Sequence, residues 1–246
     1  MKTLRLLLVL LLTVGCASSG EQPPSSIPPA VQKTPELDRA AHWVRNSAEY
    51  QALVRQAYNL ASVHLRELAA GRDEGTWAVA LDADETIIDN SAYERELTLK
   101  GLKSTDERWD RWVARRAAPP LPGVVEFLDL VHELGGRVAV VTNRIDEHCP
   151  DTRANFRAFE IPFDVILCRV GDRRKEPRWK SLGNGTASPD LPPLEIILWV
   201  GDNIRDFPNF DQDVRFASGE AFAKFGRRYF VLPNPVYGSW TGNPQD

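Results

Sequence analysis

The sequence predicts an α/β fold: a parallel sheet with helices on both faces and a small, mainly helical cap. Three observations predict it. Short apolar runs alternate with helical segments along the chain. Most of these runs are apolar on consecutive residues, as strands buried on both faces must be. Three of them end in acid, hydroxyl or amide groups. The composition agrees: 246 residues, 43% hydrophobic and 26% charged, are ordinary for a globular chain and enough to bury a proper core. A net charge of −4 lacks the basic excess of a nucleic-acid binder. Only one long apolar run exists, which excludes a polytopic membrane protein.

The elements follow in order. Residues 1–15, MKTLRLLLVLLLTVG, carry Lys2 and Arg5 ahead of an unbroken apolar stretch at 6–12. That stretch is too short to span a bilayer and reads as a secretory signal peptide. It closes on Thr13-Val14-Gly15-Cys16, which resembles a bacterial lipobox with Cys16 as the lipidated residue; Thr13 stands where that pattern most often has Leu. Signal cleavage without lipidation is the other reading. By the same analogy, Ala17 after the Cys implies retention at an outer membrane. Residues 16–35 hold the Cys and a tether rich in Ser, Pro and Gly, too poor in apolar residues to offset its ordering entropy.

The body spans 36–246. From 36 to 70 the spacing predicts helix, with Val54, Tyr58, Ala61, Leu65 and Leu68 on one stripe and Gly71 as a stop. His64 beside that stripe reads as core or surface decoration. Strands are predicted at 77–81, 137–141, 163–168, 196–200 and 228–232, and helices at 123–134 and 151–159. In an exported chain Cys149 and Cys168 have two readings, a disulfide pair or, for Cys168 within an apolar run, a small buried hydrophobe.

Parallel sheets bind ligands beyond the carboxyl ends of their strands. There the chain offers Asp82 and Asp84 after the first strand, Thr142-Asn143-Arg144 after the second, and Asp202 and Asp206 after the fourth. Two carboxylates one residue apart can address one point, one attacking an electrophile while the other exchanges a proton, once a cation offsets their repulsion. Oxygen-rich clusters of this kind select Mg²⁺. Carboxylates, a hydroxyl and a lysine are what phosphoryl transfer needs. Taken singly, Asp82 is equally a helix cap, and Asp202 and Asp206 a solvated turn. Three ordered pieces at three strand ends favour a site.

With these residues in place, the chain resembles the phosphatases of the haloacid dehalogenase (HAD) superfamily. Within it, the chain resembles the class C acid phosphatases, the bacterial lipoprotein 5′-nucleotidase family. The matching stretches are LDADETIIDNSAY (81–93), RWDRWVARRAAPPLPGVVEFL (108–128), VVTNR (140–144), KEPRW (175–179), VGDNIRDF (200–207) and FGRRYFVLPNPVYGSW (225–240). The resemblance implies a HAD-like Rossmannoid sheet with cap elements around 36–70 and 87–120. It implies Asp82 as a nucleophile forming an aspartyl-phosphate. Asp84 becomes the general acid and then the base, its carbonyl also meeting the metal. Asp202 binds Mg²⁺ directly and Asp206 supports that site. Thr142 and Asn143 contact the phosphate, and Lys175 neutralises it, with Lys180 as the rival lysine.

Tyr237 matches a position that stacks on a nucleoside base, whereas Leu102-Lys103-Ser104-Thr105 lacks the further aromatic such members carry. Trp109 and Trp112, three apart on one helical face, read as core packing or as lining of the substrate mouth. The implied activity is a Mg²⁺-dependent acid phosphatase acting on phosphomonoesters, nucleoside 5′-monophosphates among them. Its partners are a small ester and, through the lipid anchor, a membrane, but no nucleic-acid polymer; a homodimer is admitted, not required. The competing readings are a phosphatase or phosphotransferase of non-nucleotide esters, and a non-catalytic surface lipoprotein.

Overall fold

The computed structural model describes residues 35–245. The expected signal peptide, Cys16 and the expected tether to residue 34 lie outside the described residues. Among those described, no helix is long and apolar enough to cross a membrane.

Two helices open the body, α1 (Arg39–Asn46) and α2 (Ala48–Ala69). The periodicity predicts one helix here, and Ser47 divides it. Its backbone is extended and its hydroxyl accepts the Tyr50 N–H at 3.1 Å, ending α1 and capping α2 in one residue. Strand β1 (Trp77–Leu81) follows, then the pair α3 (Ser91–Leu99) and α4 (Asp106–Ala114), then α5 (Val124–Glu133). Alternation continues through β2 (Arg137–Ile145), α6 (Cys149–Ala158), β3 (Val165–Arg169), α7 (Glu176–Gly183), β4 (Glu195–Gly201) and β5 (Tyr229–Val231). Helix α7 is not predicted, because its eight residues carry too few apolar positions to show a period.

The five strands form one parallel sheet in the order β3-β2-β1-β4-β5. Side chains alternate across it. Trp77, Val79 and Leu81 join Val138 and Val140 in a large core with α2 and α5, where Tyr58 meets Phe127 at 5.5 Å. Ala78, Ala80 and Ala139 face the other way, and these small residues let Trp179 and Leu182 of α7 pack close. A bulge opposite Ala78 and Val79 interrupts the alternation in β4, so Ile197 and Leu198 both reach the larger core. Gly136 is obligatory before β2, since a Cβ there would lie 2.2 Å from the Trp77 ring.

One expectation changes. Segment 36–70, expected among the cap elements, is mostly a layer of the core, because α2 packs on α5, β4 and β5; α1 alone leans on α3. Helices α3 and α4 lie in the segment between β1 and α5, where 87–120 is inserted. Cys149 and Cys168 are joined in a disulfide that fastens the start of α6 to edge strand β3. His64 is partly exposed on α2 and lines a surface cavity of about 550 Å³ with Lys224 and Arg228, away from the carboxyl ends of the strands.

Candidate active site

Apolar β1 ends abruptly in acid, and its sheet pairing continues one residue further: the Asp82 N–H donates to the Val200 carbonyl at 3.1 Å. This places the exits of β1 and β4 side by side. Asp82, Asp202 and Asp206 converge there, with carboxylate oxygens all within 4.8 Å of one another. Gly201 makes the approach possible, because a Cβ on it would stand 2.3 Å from that of Asp206.

Lys175 enters this acidic cluster from the loop before α7. Its ammonium is buried and donates to Asp82 Oδ1 at 2.5 Å and to Asp206 Oδ1 at 2.7 Å. Lys180 is exposed on α7, so Lys175 is the lysine of the site. Burial disfavours the charged ammonium, but Asp206 and Asp82 outweigh it and hold its pKa above the ordinary lysine value. Burial likewise pushes the Asp82 carboxyl up to about 7; Lys175 opposes this, and Asp206 and Asp84 add to it. Asp202 is raised by burial and then by the fields of Asp206 and Asp82. Its oxygens accept from Asn234 Nδ2 at 2.7 Å and Thr86 Oγ1 at 3.4 Å. Asp206 Oδ2 accepts the Asn203 N–H at 2.9 Å.

The donor set fits a hard divalent cation. Among the described residues, three carboxylates face one ammonium, which leaves excess negative charge, and every candidate ligand atom is oxygen. Asp84 stands apart from the three. Its carboxylate turns to Arg144 and Asn90, so its expected contact with the metal is left to the backbone carbonyl.

The expected phosphate-binding pair lies within β2, which runs to Ile145 rather than stopping at 141. Ile145 pairs with Arg169 after an irregular stretch, and that extends the strand. Leu81 pairs with Val140, so Thr142 emerges beside Asp82 at the same sheet end. Thr142 is buried and Asn143 exposed. Arg178 holds both, donating to the Thr142 carbonyl and, at 2.7 Å, to Asn143 Oδ1. Tyr237 is exposed at 37% and hangs from Asn234, whose Oδ1 accepts its N–H at 3.2 Å. The side chain that braces Asp202 thus also sets the Tyr237 backbone.

Several residues of this site escape sequence reasoning. Asn90 and Asn234 act through partners 6 to 32 positions away, with no local signal, and Arg178 stands in KEPRW with nothing there to indicate its bonds to Thr142 and Asn143. Glu85 is buried with positive φ (52°); burial, then Asp84 and Asp202, push its carboxyl well above the usual range. Its oxygens accept from Asn90, at 2.9 Å from the N–H.

A model of the HAD superfamily subfamily IIIB acid phosphatases matches residues 26–240 of this chain. The class C acid phosphatase from Bacillus anthracis is similar over 84% of this chain and 89% of its own, at 30% identity and a TM-score of 0.74. A structure of class C acid phosphatase from Bacillus anthracis with tungstate bound gives the same coverage and TM-score at 28% identity. Fold and site together define a phosphomonoesterase. Within that class, the chain belongs to the subfamily IIIB acid phosphatases of the HAD superfamily, with the class C enzymes as its structural relatives.

Proposed function

We propose that this phosphatase is Mg²⁺-dependent, works through an aspartyl-phosphate on Asp82, and takes nucleoside 5′-monophosphates among its substrates outside the cytoplasm. The observation that carries the reading is the buried Lys175 among three converging carboxylates at the exits of β1 and β4. Asp82, Asp202 and Asp206 would hold the ion by carboxylate and Asp84 by its carbonyl. Bound there, Mg²⁺ supplies positive charge to the phosphate oxygens.

The chain's own residues do the rest. Lys175 and Thr142 neutralise and hold the phosphoryl group while a carboxylate oxygen of Asp82 forms a bond to phosphorus. The ester P–O bond breaks, and the leaving oxygen takes a proton from Asp84. Asp84, now ionised, draws a proton from water, whose oxygen attacks phosphorus and releases inorganic phosphate and Asp82. The tungstate carried by a Bacillus anthracis relative, an oxyanion tetrahedral like phosphate, supports an oxyanion site in this fold.

For the nucleotide preference the support is Tyr237, an exposed ring anchored one residue's reach from Asp202; base stacking on such a ring contributes about 1–3 kcal/mol. The lipobox-like Thr13-Val14-Gly15-Cys16 supports export and anchoring through Cys16, at an outer membrane given Ala17. A homodimer is compatible with this reading and not needed for the chemistry.

A phosphate-release screen over nucleoside 5′-monophosphates and sugar phosphates, with EDTA and then excess Mg²⁺, tests these points together. Activity is expected to vanish with EDTA, return with Mg²⁺ and be highest on nucleotides. Asp82→Asn is expected to abolish turnover of every ester at unchanged circular dichroism. Turnover retained by that variant would sink the nucleophile assignment, and equal rates on sugar phosphates the nucleotide preference.

A further inference from the structure

Arg144 is a buried cation whose side-chain bonds go to none of Asp82, Asp202 and Asp206. Its guanidinium is held on every side. Nη2 donates to Asp84 Oδ1 at 2.7 Å, and Nε to Oδ1 at 3.0 Å and Oδ2 at 3.1 Å. Nη1 donates to Thr152 Oγ1 on α6 at 3.1 Å. Its face lies over the Trp109 ring of α4, 5.4 Å from the centroid. Asn90 completes the set: its Nδ2 donates to Asp84 Oδ1 at 2.8 Å, and its Oδ1 accepts from Trp112 Nε1 at 2.8 Å. Both tryptophans of the cap helix therefore stand behind a donor that grips Asp84.

We propose that Arg144 and Asn90, backed by Trp109 and Trp112, are positioning residues that fix which oxygen of Asp84 exchanges the catalytic proton. A carboxylate oxygen has about two lone-pair sites. Oδ1 receives three donors and is filled, whereas Oδ2 has only the longest share of Nε. Oδ2 is therefore the oxygen left open for exchange, and with three donors on its neighbour the carboxyl cannot swing that oxygen away. A proton donor held in one orientation gains the advantage of proximity that a freely rotating one loses. The cap enters the chemistry here without touching the substrate. This inference rests on Asp84 being the general acid of the reaction proposed above.

The test is the dependence of kcat/KM on the leaving group, because a misplaced acid slows esters of alcohols that need a proton and spares those of acidic phenols. Arg144→Lys, Arg144→Gln, Trp109→Leu and Asp84→Asn are compared with the wild type on p-nitrophenyl phosphate and on an alkyl phosphate, with Mg²⁺ present. Both Arg144 variants are expected to lose at least ten-fold more on the alkyl ester than on the aryl ester. Trp109→Leu should shift the ratio the same way by about three-fold, and it carries the test if the Arg144 variants do not fold. A uniform loss across both esters in the Arg144 and Trp109 variants, beside a selective loss in Asp84→Asn, overturns the positioning role alone. A uniform loss in Asp84→Asn overturns the general-acid reading itself, and this proposal with it.

Discussion

Lys175 shows how one side chain makes an otherwise prohibitive arrangement stable. Asp82 and Asp206 would repel each other across the exits of β1 and β4, and its ammonium bonds to both from a fully packed position. Removing one member of a buried ion pair leaves the other's charge uncompensated, at a cost of about 3–5 kcal/mol. Lys175→Met, nearly isosteric, is therefore expected to lose stability of that order in urea denaturation without added divalent ion. It should also lose at least 100-fold in turnover. Unchanged stability would mean that the carboxylates are tolerated without the ammonium. At this scale the sequence was informative where chemistry and chain position coincide. Asp82, Asp84, Asp202 and Asp206 stand out because each follows an apolar run that must be a strand. Arg144 stands in the VTNR stretch, yet nothing in that stretch indicates that it grips an acid 60 positions earlier. A hydrogen bond between distant residues leaves no periodicity.

Among the elements, the cap shows how two short helices are kept together. Glu96 on α3 pairs with Lys100 at 2.6 Å, the residue that caps its own helix, and with Arg115 just beyond the end of α4, the second Arg115 bond being 3.1 Å. Hydrogen bonds from Arg115 and Lys100 lower the Glu96 carboxyl to about 2. A lowered carboxyl contributes stability that is complete above its unfolded value, roughly 4.3, and is lost as the pH falls through the folded one. The melting temperature of Glu96→Gln should therefore lie below wild type by a constant margin from pH 7 to 5, with the gap closing towards pH 2. A gap that does not depend on pH would show that the pair is not its source. Being exposed, the pair makes a small contribution, reduced further by salt. Helix boundaries were less legible than strands. Ser47 splits one apolar stripe into two helices through a side-chain cap that periodicity does not register, and α7 is too short to show a period.

In the whole molecule the disulfide ties the second crossover together. Cys149 and Cys168 are 19 residues apart and bind α6 to edge strand β3, upstream of the loop that delivers Lys175. Closing a loop of roughly this size in the unfolded chain is worth about 3 kcal/mol in the chain-entropy model. At about 2–4 °C per kcal/mol for a domain this size, a Cys149→Ser/Cys168→Ser double variant should melt about 6–12 °C lower by calorimetry. An unchanged melting temperature would place the constraint elsewhere. The sequence alone left this pairing open, because Cys149 and Cys168 read there as either a bond or, for Cys168, a small buried hydrophobe. What it determined by itself was the class of fold, the strands and the acids that terminate them, all consequences of local apolar pattern and of the rule that ligands gather at parallel strand ends. Only the tertiary structure decided the order β3-β2-β1-β4-β5 that sets Asp202 beside Asp82, the placing of α2 in the core, and the grip of Arg144 on Asp84. Those depend on which distant surfaces exclude water from each other, and that is a property of the packed chain rather than of any segment in it.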